Sequence, residues 1–138
     1  MITLDASVVV AHLSTGDHLH HMATAYLRQS TDEGFLIHSL NQAEVLVGGV
    51  RAGHGQEMLA DLKAIGIQVA DRTHGEPLRL ATLRVESGLK LPDCCALDTA
   101  LLADSTLATF NEALAQAARQ RHVTVAPRHS HQPNSTSG

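Results

Sequence analysis

Short apolar runs alternate along this chain with longer stretches in which apolar residues recur every three to four positions. Residues 2–5, 35–38, 67–70, 106–110 and 123–125 are the short runs, and they predict five brief strands. Between them the spacing predicts helices. Residues 8–13 form a short helix or turn. Leu19, Met22, Ala23, Tyr26 and Leu27 mark one face of a helix over 18–29, with Gly34 ending that stretch. Ser39 and Gln42 have the Ser-x-x-Gln form of a capping box and open a helix to about residue 50, broken by Gly53 and Gly55. Met58, Leu59, Leu62 and Ile65 place a helix over 56–65, closed by Gly66. Leu78, Leu80, Ala81, Leu83 and Val85 mark another before Gly88. Pro92 reads as the first residue of a helix to about 103, and Asn111 caps a helix over 112–121.

Strands this short, each separated from the next by a helix, predict an α/β fold. Its form is three layers, α/β/α, around a short-stranded, mainly parallel central sheet. The chain has 138 residues, the size of one domain, expected over 1–126. Residues 127–138, rich in Pro, Ser, His, Asn and Gly, are expected to form a disordered tail.

Composition narrows the function. Aromatic residues are 2% of the chain, which excludes stacking platforms for single-stranded nucleic acid. No apolar run approaches the roughly 18 residues of a membrane span. The formal net charge of −4 excludes a basic nucleic-acid coat, so contact with a polyanion must be local and assisted by cations. Adjacent Cys94 and Cys95 give neither a disulfide framework nor zinc-ligand spacing. With no secretory signal at the start, a cytoplasmic protein is expected.

In open α/β sheets, sites form at the carboxyl ends of strands. Asp5, Glu44, Asp93 and Asn111 fall there or on the helices that open there. Each has an ordinary structural role open to it. Asp5 suits a helix cap, Glu44 an exposed helix face, Asp93 the favourable dipole of a first turn, and Asn111 an N-cap. Together they bring three carboxylates and an amide to one end of the sheet. Clustered carboxylates repel unless a cation neutralises them. Hard oxygen ligands suit Mg²⁺ or Mn²⁺, which in turn suits phosphodiester hydrolysis.

The same residues carry a family resemblance. Met1-Ile2-Thr3-Leu4-Asp5-Ala6-Ser7 resembles the first motif of PIN-domain ribonucleases. Leu40-Asn41-Gln42-Ala43-Glu44-Val45 resembles the acidic second motif, and the stretch from Leu91-Pro92-Asp93 to Ala100 the third. Leu107-Ala108-Thr109-Phe110-Asn111 stands at the fourth, usually Thr-x-Asp. Order, spacing and length are similar to the VapC-type toxins of bacterial toxin–antitoxin pairs. The resemblance spans about residues 1–125. It implies a PIN-like fold and a Mg²⁺- or Mn²⁺-dependent endoribonuclease. Asp5 and Asp93 would be primary metal ligands, Glu44 would complete the pocket, and Ser7 and Thr109 would support it. It also implies an RNA substrate, a VapB-like antitoxin and a homodimer. Asn111 departs from the pattern by bringing no charge, which leaves a catalytically weakened RNA- or antitoxin-binding module as the alternative.

Other residues attract attention less. Five steps of about 100° turn Asp98 away from Asp93's helix face, and Asp104 is too far along the helix, so both are assigned to solvent or salt bridges. His18, His20 and His21 fit a polar helix start, and His129 and His131 fall in the tail. Cys94 and Cys95 fit a core. Residues 48–55 read as a helix end and a mobile connection, with Arg51 and Lys90 as candidate phosphate contacts. A haloacid-dehalogenase-like phosphatase needs an Asp where Ser7 stands, and a receiver domain needs an acid before the end of the first strand.

Overall fold

The computed structural model describes residues 1–128; residues 129–138, which include His129, His131 and most of the expected tail, lie outside them. The strands are β1 (Ile2–Leu4), β2 (Phe35–Ile37), β3 (Ile67–Val69), β4 (Thr106–Ala108) and β5 (Val125–Ala126). They form one sheet in the order β3-β2-β1-β4-β5, and every neighbouring pair is parallel. Ile2 pairs with both Phe35 and Thr106, so β1 is central. Seven α-helices connect them: α1 (Ala6–Leu13), α2 (His20–Gln29), α3 (Ser39–Arg51), α4 (Gly55–Ile65), α5 (Glu76–Ser87), α6 (Leu91–Ala103) and α7 (Glu112–Gln120). The three-layer α/β fold is the one the periodicity predicts.

Two aliphatic cores lie on either face of the sheet. Ile2, Leu4, Phe35, Ile37 and Ile67 pack against Val8 and Val9 of α1, Leu27 of α2, Val45 of α3 and Leu62 of α4. Leu107 packs on the opposite face with Leu83, Cys94, Leu97, Ala100, Leu114 and Ala118 from α5, α6 and α7. Seven consecutive residues of α6, from Cys94 to Ala100, are buried. A helix apolar on nearly all sides is an interior helix. It packs on β1, β4, α3, α5 and α7, which gives its first turn a rigid seat.

Several boundaries differ from the sequence reading, each for a physical reason. The cap of α3 is His38, one residue before the expected Ser39, because its Nδ1 accepts the Leu40 N–H at 3.0 Å. That leaves the Nε2–H to face Glu76 Oε2, 3.2 Å away on α5. Gly48 and Gly49 lie inside α3 rather than in a connection. A Cβ on Gly49 would come within 2.9 Å of the Met58 sulfur, so glycine there lets α3 and α4 approach. Pro92 is the second residue of α6, not the first. The last strand starts later than expected because the Val123 N–H bonds back to Ala118 and His122 adopts a left-handed φ of 62°. Among the described residues no helix is long and apolar enough to cross a membrane.

Candidate active site

The sheet order changes direction at β1, whose neighbours β2 and β4 belong to different halves of the chain. The crevice beyond the carboxyl ends of β1 and β4 is where such sheets bind ligands. Asp5 follows β1 directly, and its N–H donates to the Ala108 carbonyl at 2.9 Å. Its carboxylate is buried and does not cap α1. It accepts instead from Ser7 Oγ at 2.7 Å and Thr109 Oγ1 at 2.8 Å, both on Oδ2. The Ser7 oxygen in turn accepts the Phe110 N–H, and the Thr109 oxygen accepts the Asn111 N–H. Each hydroxyl has one proton, and with backbone amides on their oxygens these protons are given to Asp5. No hydrogen bond among the described residues falls on Asp5 Oδ1.

Asp93 stands in the first turn of α6, where a carboxylate suits the helix dipole. Its carboxyl titrates above the usual aspartate range. Burial is the main cause, the charges of Asp5 and then Glu44 add to it, and Lys90 opposes it. Asp93 therefore feels two carboxylates that the sequence places far from it. Glu44 is on the exposed side of α3, and its Oε1 accepts from Asn41 Nδ2 at 3.2 Å. Asn111 caps α7 as expected, its Oδ1 accepting the Leu114 N–H at 3.1 Å. Its Nδ2 faces Asp93 Oδ2 at 3.5 Å. The amide oxygen thus accepts the helix-cap bond, and the amide nitrogen faces Asp93 as a donor. Glu44, Lys90, Asp93 and Asn111 line a cleft of about 420 Å³ with Gly88, Leu89, Pro92 and Ala113.

Among the described residues no three His, Cys, Asp or Glu side chains close on a point tightly enough to hold an ion unaided. The set is open. That fits Mg²⁺, which is usually held by one or two carboxylates, with waters and substrate phosphates completing its shell. Asn41 is the residue the sequence reading passed over. Its only local signal is its place three residues before Glu44 on one helix face.

The remaining residues take structural roles. Asp98 is buried, and Arg79 meets it in a two-pronged ion pair at 2.9 and 3.1 Å. Asp104 is exposed at the end of α6. His12 Nδ1 bonds Thr24 Oγ1 and His20 Nδ1 bonds the Ala11 carbonyl, tying α1 to α2, while His18 is exposed beside Asp17. Both cysteines are buried. Burial raises the Cys94 thiol and pushes Cys95 up to about 11, so neither is an activated nucleophile. Arg51 is exposed at the end of α3 and does not line the cleft.

The raised Asp93 carboxyl makes a stability prediction. In the folded chain Asp93 keeps its proton to higher pH than in the unfolded chain. Stability therefore falls as pH rises through its titration, and the full penalty is present above it. Asp93→Asn is expected to raise the melting temperature in EDTA at neutral pH, with no gain in acid below the ordinary carboxylate range. Thermal denaturation in the two buffers reads this. No gain at neutral pH would mean that the helix dipole outweighs the repulsion.

A family model described as PIN domain matches residues 2–120. No curated protein matches the chain significantly. Among solved structures, a toxin-antitoxin complex from Klebsiella pneumoniae aligns at 24% identity. The match covers 80% of this chain and 87% of that one, with a TM-score of 0.64. FitAcB from Neisseria gonorrhoeae aligns at 20% identity, covering 91% and 96%, with a TM-score of 0.66. At these identities the likeness to both structures is one of fold.

Proposed function

Since the chain belongs to the PIN domain family, we propose that it is a Mg²⁺- or Mn²⁺-dependent endoribonuclease and the toxic half of a toxin–antitoxin pair. The reading rests on one observation. Asp93 shares a cleft with Glu44 and feels the negative charges of both Asp5 and Glu44. Burying and crowding carboxylates is unfavourable without a cation. In this reading Asp5 and Asp93 hold the ion and Glu44 completes the pocket. A bound divalent ion polarises a phosphodiester and lowers the pKa of a water.

The chain's own groups do the rest. Ser7 and Thr109 hold the Asp5 carboxylate in one orientation. Lys90, on the rim of the cleft, draws an RNA phosphate toward Asp93. Asn111 donates toward Asp93 and keeps α7 anchored beside the cleft. The antitoxin partner is proposed from the resemblance and from the fold shared with a toxin-antitoxin complex. The homodimer is proposed from the resemblance alone.

Incubation of purified protein with total RNA tests the reading. Cleavage is expected in Mg²⁺ or Mn²⁺ and none in EDTA. Cleavage that persists in EDTA would refute metal dependence. The position of Asn111 favours one second reading, a weakened site that binds RNA or antitoxin without cutting, because its amide brings no charge and turns its nitrogen to Asp93. Inactivity on many RNAs, with Asn111→Asp restoring cleavage, would select that reading.

A further inference from the structure

Asn41 is fully buried in the first turn of α3. Its Nδ2 donates to Glu44 Oε1 at 3.2 Å and to the Pro92 carbonyl at 3.0 Å. Both partners only accept, so the amide cannot be turned round. Its Oδ1 is buried and has no hydrogen-bond partner among the described residues. A buried acceptor left unmet costs stability. Packing therefore does not explain an asparagine here, and its two bonds do. They tie the carboxylate of Glu44 to the first turn of α6, the turn that carries Asp93.

Glu44 needs such a tie. It is exposed, and a glutamate free in solvent spreads over many rotamers whose loss must be met on binding. Among the described residues Asn41 is the one hydrogen-bond partner of its side chain. The bond takes Oε1 and leaves Oε2 for a ligand. The Pro92 contact fixes the distance between α3 and α6 at the same point. We propose that Asn41 is a positioning residue that holds Glu44 beside Asp93, so that the carboxylate set is ordered before a divalent cation arrives. The inference rests on the acidic-pocket reading above.

Mn²⁺ titrations followed by electron paramagnetic resonance test it, with no substrate present. The proteins are wild type, Asn41→Leu, Glu44→Gln and the double variant. Leucine fills the space and lacks the donor, and a melting curve checks that the fold is kept; Asn41→Ala serves if leucine does not fit. Loss of an outer partner of a metal ligand typically weakens metal affinity about 10–100-fold. Asn41→Leu and Glu44→Gln are each expected to weaken Mn²⁺ binding by about 10-fold or more. The double variant is expected to bind no more weakly than Glu44→Gln, because the two act as one unit. A folded Asn41→Leu that binds Mn²⁺ as wild type does, beside a weakened Glu44→Gln, overturns the role of Asn41. So does a double variant whose losses add. A Glu44→Gln protein that binds as wild type does overturns the pocket reading instead.

Discussion

Asp5→Asn is expected to slow metal-dependent RNA cleavage by at least about 10²-fold, the order lost when one preorganised electrostatic group is removed. The substitution keeps the size of the side chain and an oxygen that still accepts from Ser7 and Thr109. What it removes is the charge at the point where β1 and β4 meet. Because the Asp5 side chain makes no cap bond to α1, the helix loses no capping hydrogen bond. Circular dichroism should therefore match wild type while single-turnover cleavage collapses. A variant that cleaves at the wild-type rate would remove Asp5 from the site, and the acidic-pocket reading with it. A variant that unfolds would show that the two hydroxyl bonds are structural first.

Leu97→Ala is expected to lose about 2–5 kcal/mol of stability, the range for a buried leucine whose cavity cannot collapse. Leu97 is fully buried at the middle of α6, in the core formed with Leu107, Leu114 and Ala118. Helices pack around it on several sides and the sheet lies on another, so neighbours have little room to move in. Val85→Ala is the control. Val85 is 85% exposed on α5, and such a site normally stays within about 0.5 kcal/mol of wild type. Urea denaturation reads both. A loss below about 1 kcal/mol at Leu97 would mean that α6 is not enclosed as described. The result bears on the proposed site, because α6 carries Asp93.

Much of the site is legible in the local pattern. Asp5 follows the strand that opens the chain, Asp93 enters a helix beside Pro92, and Asn111 both reads and acts as an N-cap. These follow from signals within a few residues. Asn41 escaped that reading because a polar residue in a first turn is ordinary, and burial against Pro92 is not visible locally. Ser39 and Gln42 spell a capping box, but His38 stands one residue earlier and caps the helix, with Glu76 within reach of its other nitrogen. Asp98 shows the same limit. Helix geometry turned it away from Asp93, but only Arg79 on the neighbouring helix explains how it is buried.

The sequence by itself determined the order and type of the elements and which faces of them are apolar. These depend on periodicity, glycine and proline, and short-range caps. Tertiary structure alone decided that Thr109 reaches Asp5 across 104 positions, that Asn41 reaches Pro92 across 51, and that Asp93 feels the charges of Asp5 and Glu44. The physical reason is that local pattern fixes backbone shape and buried face, whereas strand order is chosen by burial of the whole sheet. Placing β1 between β2 and β4 is what turns distant acids into neighbours.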